Sequence, residues 1–394
     1  MTILSNRRAR WLPLPAIVLS VCACASEKTA PAGAIAVDTV GGVVRVRNPA
    51  SSPAWSAREL VTIGTMDSGP ASFGQVRSVV ADDDGTIYVA DIQADEIRVF
   101  DRQGRFLRTI GRRGAGPAEF GDLYSLAWLG DTLVALDPRN ARIGLLTRSG
   151  AWLGELRHQP ISGDLSIRLY HAGEDAIYAY GVAPAAGGKL ESHYVQFGGG
   201  RTDTIPHPPR VEGEVRGARC DHAASGTLAF FTNPFAPYRF HVPAPGGSLA
   251  IAHSATYRIA FLDASGDTLR VVEKAHDNVP INDEEWDEAT AKYREWRANL
   301  PGARCEPDGL KRPDAKPALI DIFFDSDQRM WVEVTTAAGR AFDVFDVMGR
   351  QLGRVPISDE KRNAPPYARG NRLYLVAADS LDVQTVRVYE LEMK

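Results

Sequence analysis

The sequence predicts an all-β fold built from repeated four-stranded units, with one helical insertion. The 36 Gly and 25 Pro among 394 residues indicate short strands joined by many turns. Segments 63–74 and 110–121 share Ile-Gly, Gly-Pro-Ala and Phe-Gly at matching positions, so a unit of about 47 residues repeats along the chain. A third observation is a hairpin motif that occurs four times. Such repetition is typical of folds in which each unit packs against its neighbours.

The first repeat contains four short apolar runs separated by turn-forming residues, which predicts four antiparallel strands. The runs cover 76–81, 87–91, 96–101 and 106–111. The same unit, followed along the chain, predicts six sheets at about 76–111, 122–157, 166–206, 226–273, 318–356 and from 365 onward.

The last turn of the repeat has a glycine at one fixed place. The turn reads Phe-Asp-Arg-Gln-Gly in the first sheet, and the glycines of the four copies are Gly104, Gly150, Gly266 and Gly349. A tight hairpin of this kind needs a positive backbone φ, which glycine adopts without steric cost. The glycines therefore predict one shared hairpin in four sheets.

The last predicted sheet lacks its outer strand, and the N-terminal part of the fold can supply that strand. Residues 58–64, Arg-Glu-Leu-Val-Thr-Ile-Gly, align with residues 105–111, Arg-Phe-Leu-Arg-Thr-Ile-Gly. A strand at 58–64 would complete the last sheet and close a ring that has no unpaired edge between its ends. We therefore expect residues 55–394 to form a six-bladed β-propeller.

Several motifs of the repeat resemble those of a known class of propeller. The Asp-x-x-Gly turn at 82–85, the strand at 87–91 and the Phe-Asp-x-x-Gly hairpin resemble NHL-repeat propellers. The Gly-Pro-Ala-x-Phe-Gly connector is similar to that of bacterial six-bladed β-propeller lipoproteins. The resemblance is carried by 58–158 and 318–356. It implies a six-bladed propeller on an exported, lipid-anchored protein.

The first 23 residues are typical of an export signal of the lipoprotein type. Three arginines in the first ten residues precede an apolar run at 11–21 that is too short to span a bilayer. The following Val-Cys-Ala-Cys at 21–24 resembles the bacterial lipobox, so Cys24 is the expected lipid-attachment residue. The alternative is an ordinary secretory signal, cleaved near Ala23 or Ala25.

Residues 24–54 are rich in Ala, Ser and Pro, which predicts a flexible tether between the anchor and the propeller. A lipid on Cys24 would place the protein in the bacterial cell envelope. Because Ala25 is not an inner-membrane retention signal of the Asp kind, the outer membrane facing the periplasm is favoured.

Two of the four cysteines, Cys220 and Cys305, lie outside the signal. Both have charged neighbours, Arg and Asp in one case and Arg and Glu in the other, and exported proteins fold under oxidising conditions. We expect a disulfide between them; two buried free thiols are the alternative.

The net charge argues against nucleic acid as a partner. The chain carries a formal charge of −4, which becomes about −7 once the three arginines of the signal are removed. This sign is wrong for a surface that binds phosphate backbones.

A helical insertion is predicted at 282–300, between the fourth and fifth blades. Asn282 and Glu285 are spaced as a capping pair. Five apolar residues recur at helical spacing and form one stripe: Trp286, Ala289, Tyr293, Trp296 and Leu300. The stripe either packs on the rim of the propeller as a structural lid, or lines a ligand pocket or partner surface.

Candidate ligand-binding residues are expected on the face that carries the connections between blades. Asp91 and Asp137 occupy matching positions, where each carboxylate either accepts hydrogen bonds from a nearby turn or binds a ligand. The other candidates could form a positive patch for an anion or contact a partner, and they are Arg112, Arg113, Arg139, His253, Trp286 and Trp296.

The sequence favours a non-catalytic binding scaffold over an enzyme. The eight His residues are scattered without metal-ligand spacing, and neither a nucleophile-elbow motif nor a phosphate-binding loop is present. We expect a monomer that needs no cofactor, contacts the membrane through its lipid alone, and binds a protein, peptide or glycan. The alternative is a calcium-dependent lactonase or esterase-like hydrolase, because six-bladed propellers include such enzymes.

Overall fold

The computed structural model describes residues 34–157, 168–171, 173, 176–184, 190–199, 204–206, 208, 217–307, 309–357, 361–362 and 364–393. The predicted export signal, the lipid-attachment residue Cys24 and the tether up to residue 33 lie outside them. Within these ranges, no helix is long and apolar enough to cross a membrane.

The described chain begins with three strands, β1 (Ala36–Val40), β2 (Val43–Asn48) and β3 (Trp55–Ile63). β1 and β2 form an antiparallel hairpin, and β2 also pairs in parallel with the strand Thr268–Lys274 of a later blade. The prediction of a flexible tether over 24–54 is therefore wrong for 36–48. Val46 is buried in the core of that blade, and this contact holds the hairpin in place.

Blades one to three are antiparallel sheets whose strands follow in chain order from the centre outward. They consist of β4 (Val76–Ala81), β5 (Ile87–Asp91), β6 (Glu96–Phe100), β7 (Phe106–Ile110), β8 (Ser125–Leu129), β9 (Thr132–Asp137), β10 (Arg142–Leu146), β11 (Trp152–Arg157), β12 (Leu169–His171), β13 (Ala176–Pro184), β14 (Leu190–Gly198) and β15 (Thr204–Pro206).

Two extra strands, β16 (Gly217–His222) and β17 (Thr227–Thr232), pair with each other before blade four begins. Blade four itself consists of β18 (Arg239–Ala244), β19 (Ser248–His253), β20 (Arg258–Leu262) and β21 (Thr268–Lys274). The predicted start of blade four at 226 is therefore wrong. Its true inner strand contains Pro243, which a strand tolerates where only one side is paired.

The segment between blades four and five contains the predicted helix, α1 (Asp283–Asn299), and then β22 (Arg304–Glu306). The capping pair is present, because the backbone N–H of Glu285 donates to Asn282 at 2.8 Å and that of Asn282 donates to Glu285 at 3.1 Å. β22 pairs with β16, so that Cys220 lies opposite Cys305, and the expected disulfide joins them.

The helix packs on the small sheet rather than directly on the rim of the blades. The rings of Tyr293 and Trp296 meet the ring of Phe231 in β17 at centroid distances of 5.2 and 5.4 Å. Ala289, in the middle of the predicted stripe, is exposed. We name β16, β17, α1 and β22 together the insert.

The ring is completed by β23 (Leu319–Phe324), β24 (Met330–Thr336), β25 (Gly339–Phe345) and β26 (Gln351–Pro356) in blade five, and β27 (Lys361–Arg362), β28 (Tyr367–Arg369), β29 (Arg372–Ala378) and β30 (Gln384–Met393) in blade six. β3 pairs antiparallel with β30, from Trp55 opposite Met393 to Ile63 opposite Val386. The predicted closure by the N-terminal strand is confirmed, and the protein is a six-bladed β-propeller.

The repeated hairpin has the geometry that its glycines predict. Gly104, Gly150, Gly266 and Gly349 have φ values of 80°, 98°, 90° and 86°. In blade one, the Asp101 carboxylate accepts the backbone N–H groups of Gln103 and Arg105, both at 2.9 Å. Asp and Gly thus fix this turn together, which explains why the motif is visible in the sequence.

Candidate ligand-binding site

The two matching carboxylates, Asp91 and Asp137, are fully buried and bind the connectors between blades. Asp91 accepts the backbone N–H groups of Gly74 and Gln75 at 2.8 and 3.0 Å. Asp137 accepts the two equivalent N–H groups ahead of blade two, both at 3.1 Å. Both side chains therefore have the structural role that was one of the two interpretations of the sequence.

The candidate arginines around the first connector are largely neutralised by local partners. Arg113 pairs with the buried Asp95 at 2.8 Å, and Arg112 pairs with Glu119 at 2.7 Å. Arg113 and Arg139 line one cavity of about 530 Å³ between blades one and two. This leaves Arg139 as the main cation of the predicted patch.

The remaining candidates lie elsewhere. His253 is exposed at the end of β19, whereas Trp286 and Trp296 are half-buried in the insert. The structure thus distributes the predicted ligand-binding residues over three regions, and does not gather them into one site.

The centre of the ring is a narrow channel lined by the inner strands of all six blades. Its free volume is about 50 Å³, room for one or two water molecules. The channel widens at both ends. We name the face at which the inner strands begin the upper face, and the face at which they end the lower face.

The wider space at the upper face, of about 530 Å³, is lined by charged side chains from four blades. We name it the upper mouth. It contains four arginines and two carboxylates, namely Arg77 of β4, Arg168 just before β12, Asp321 of β23, Glu333 of β24, Arg340 of β25 and Arg362 of β27. Cations therefore outnumber carboxylates by two.

The carboxylates of the upper mouth are both engaged by arginines. Asp321 accepts hydrogen bonds from Arg168 at 3.3 and 3.4 Å. Glu333, which is 2% exposed, pairs with Arg340 at 3.3 Å and also with Arg362. Burial alone would lower the pKa of Arg168, but the charge and hydrogen bonds of Asp321, together with Tyr170, outweigh burial and raise that pKa.

Two guanidinium N–H groups in the upper mouth have no acceptor. Nε of Arg77 and Nη1 of Arg362 are buried without a hydrogen-bond partner within the described chain. Their guanidinium groups lie over the rings of Tyr124 and Phe342, at 5.4 and 5.6 Å from the centroids. A buried donor left unpaired costs about 1–3 kcal/mol. The mouth is thus lined by two arginines that each have one N–H donor without a hydrogen-bond partner among the described residues.

Aromatic side chains form the wall beside these arginines. Tyr170, Phe240 and His241 line the same cavity. Behind them, the Tyr194 hydroxyl lies 3.0 Å from Nδ1 of His241, and burial raises the pKa of Tyr194. Tyr194 therefore stays neutral, and the arginines determine the charge of the mouth.

The segment that follows the insert strands contacts the lining of the upper mouth. The hydroxyl of Tyr238, which follows the insert strands, donates to the carbonyl of Ile320 at 2.5 Å, and Ile320 lines the mouth. The disulfide between Cys220 and Cys305 holds the two parts of the insert together.

Among the described residues, no group of three or more His, Cys, Asp or Glu side chains is close enough to hold a metal ion.

The sequence reasoning missed the arginines of the upper mouth. Arg77 is the second residue of β4, and Asp321 is the third residue of β23. A charged residue near the start of an inner strand was the available signal, because that part of each blade faces the channel.

Comparisons with known proteins agree with this fold. A family described as a 6-bladed beta-propeller, DUF5128, matches residues 64–134, which span blade one and the start of blade two. No curated protein sequence matches the chain significantly.

Solved structures of several proteins are similar to the chain at low identity. An exported-protein candidate of Bacteroides fragilis is 10% identical, with 89% of this chain and 99% of that one covered and a TM-score of 0.46. A member of the DUF4221 family from Bacteroides vulgatus is 8% identical, with 92% and 100% covered and a TM-score of 0.42. A streptogramin B lyase is 10% identical, with 86% and 98% covered and a TM-score of 0.38.

Proposed function

We propose that the protein is a non-catalytic binding protein that takes an anionic group, a carboxylate or a phosphate, into the upper mouth. The observation that carries the proposal is the pair of buried, unpaired guanidinium N–H groups of Arg77 and Arg362. A carboxylate or phosphate offers the acceptor oxygens that these donors lack, and hydrogen bonds between charged groups are the strong ones.

The size and wall of the cavity support a ligand larger than an ion. The volume of about 530 Å³ lies within the range of small-ligand sites. The rings of Tyr170 and Phe240 offer contact area for an apolar or flat group attached to the anion. A peptide with a free carboxylate and a phosphorylated small molecule both have this chemistry.

Isothermal titration with three probes tests the proposal: inorganic phosphate, trialanine with a free carboxylate, and trialanine amide. We expect phosphate or the free acid to bind, the amide to bind at least tenfold more weakly than the acid, and Arg77→Gln to weaken anion binding about tenfold or more. The matched control is Arg102→Gln, at the opposite end of the channel, which should leave binding unchanged.

Comparing phosphate with the free acid distinguishes the two sources of the anion. Binding of neither probe, or equal binding by the Arg77→Gln variant with an unchanged melting temperature, would contradict the proposal.

We also propose that the protein is exported and anchored by a lipid on Cys24 in the bacterial cell envelope, facing the periplasm. The basic start, the apolar run at 11–21 and the lipobox-like 21–24 support this. A disulfide between Cys220 and Cys305 is typical of proteins that fold outside the cytoplasm.

Labelling cells with a palmitate analogue tests the anchor. We expect the label on the full chain to be lost in Cys24→Ala and kept in Cys22→Ala, which is the matched control two residues away. Undiminished labelling of Cys24→Ala would refute the assignment.

A further inference from the structure

A second cavity, of about 560 Å³, lies at the lower face, where the first strand of each blade turns into the second. We name it the lower mouth. Turns of five blades line it, at 82–85, 130–131, 173, 326–327 and 370–371. The channel between the mouths has a free volume of only about 50 Å³, so a ligand in one mouth cannot reach the other.

Four charged side chains at the rim of the lower mouth are joined by ion pairs. Asp83 pairs with Arg369 and, at 3.3 Å, with Arg148. Arg148 also pairs with Asp131 at 2.5 Å. The hydrogen bond with Arg369 and the charges of Arg369 and Arg148 lower the pKa of Asp83, so this carboxylate remains charged and compensated. These four side chains, two aspartates and two arginines, therefore offer a ligand little unbalanced charge.

The polar atoms without a partner in this cavity are neutral. Trp128 is 4% exposed, and its indole Nε1 is buried without a hydrogen-bond acceptor among the described residues. The Ser326 hydroxyl, on the other side of the mouth, is also buried and unpaired there. An indole N–H only donates, whereas a hydroxyl both donates and accepts.

The imidazole of His171, at the boundary between the cavity and the channel, is also uncharged. His171 lines both the lower mouth and the channel, and burial, with the nearby charge of Arg369, lowers its pKa to about 4. The imidazole is therefore neutral at the pH of a living cell. Tyr374 contributes a second buried aromatic side chain to the lining.

We infer that the lower mouth binds a neutral polyhydroxylated ligand, a hexose-based oligosaccharide, through Nε1 of Trp128 and Oγ of Ser326. Each sugar hydroxyl both donates and accepts, so it can satisfy a lone indole N–H and a lone hydroxyl without disturbing the rim pairs. A charged ligand would have to compete with those pairs for its partners.

Saturation-transfer NMR and titration on the whole propeller test the inference with neutral tetrasaccharides of glucose, mannose and N-acetylglucosamine. A tetrasaccharide of glucuronic acid serves as the charged comparison. We expect at least one neutral sugar to bind, and Trp128→Phe and Ser326→Ala each to weaken it about threefold to tenfold. Trp128→Phe keeps a six-membered aromatic ring and removes the five-membered ring that carries the N–H group.

The matched control is Arg77→Gln in the upper mouth, which should leave sugar binding unchanged. Because Ser326 is in a surface turn, Ser326→Ala is expected to fold even if Trp128→Phe does not, and melting curves check both. The inference is overturned if no neutral sugar of this set binds, if Ser326→Ala binds like the original chain, or if the glucuronic acid sugar binds more tightly than the neutral ones.

Discussion

The two mouths of the channel differ in the chemistry of the polar groups that lack a partner. In the upper mouth these groups are guanidinium N–H groups of Arg77 and Arg362, and in the lower mouth they are the indole N–H of Trp128 and the hydroxyl of Ser326. The lower mouth is richer in carboxylates, and two of them, Asp83 and Asp131, are paired with Arg148. The comparison teaches that the unsatisfied groups, rather than the number of charges, indicate the ligand.

Replacing Glu333 by Gln should have the largest effect and should separate stability from affinity. The change leaves Arg340 and Arg362 without their buried carboxylate, so the free energy of unfolding should fall by about 3–5 kcal/mol. Phosphate binding should become tighter, because the upper mouth gains positive charge. Urea denaturation and titration measure the two effects.

The control for this variant is Glu392→Gln, because Glu392 is exposed and lies 3.8 Å from Arg58. It should change stability by less than about 0.5 kcal/mol. Weaker phosphate binding by Glu333→Gln would contradict the conclusion that the arginine N–H groups without a partner make the upper mouth a site for anions.

Acid should destabilise the fold through His171, at the boundary between the channel and the lower mouth. Burial, with the charge of Arg369, lowers its pKa from 6.5 to about 4, so between these values the unfolded chain binds a proton that the folded chain does not. The free energy of unfolding should therefore fall by about 3 kcal/mol as the pH falls from 6.5 to 4.

Urea denaturation from pH 7 to 4 measures this effect, with His171→Asn as the comparison, because Asn does not titrate. The free energy of unfolding of the variant should change less with pH over this range than that of the original protein. Parallel curves for the two proteins would show that His171 is charged in the folded state, and the lower mouth would then not be neutral.

Replacing Tyr124 by Leu should weaken anion binding by a smaller amount. The guanidinium of Arg77 lies over the ring of Tyr124, with 5.4 Å between Cζ and the centroid. Loss of such a contact costs about 0.5–1 kcal/mol, or roughly threefold in the dissociation constant for phosphate. Tyr124→Phe keeps a ring and should bind normally, so equal weakening in both variants would argue against this role.

The smallest effect is expected from Asp83→Asn at the rim of the lower mouth. Its carboxylate pairs with Arg148 and Arg369 but is well exposed, so stability should fall by less than about 1 kcal/mol. Phosphate should bind as before. New phosphate binding at the lower mouth, detected by titration of an Arg77→Gln, Asp83→Asn double variant, would show that released rim arginines suffice to bind an anion.

Much of the fold could be predicted from the sequence where the geometry requires a particular residue. The hairpin glycines at 104, 150, 266 and 349 revealed four blades, because few other residues adopt their φ. The start of blade four was misplaced because Thr227–Thr232 has the alternation of a strand and belongs to the small sheet of the insert. Alternation reveals a strand but not its partner.

The candidate site could be predicted much less well. Arg77, Arg168, Arg340 and Arg362 meet only because blades one, three, five and six surround one axis. Their spacing in the sequence therefore does not predict that these arginines lie close together. Asp91 and Asp137 were visible because each lies at a fixed place in the repeat, which is also why they serve the scaffold.

The closure of blade six links the two ends of the folded chain. β3 pairs with β30, the strand Gln384–Met393, so β3 has no partner in its blade until that strand has formed. Blades one to five can form from local contacts, but the ring cannot close without β30. A product truncated before β30 would therefore be left with an open ring and an exposed sheet edge.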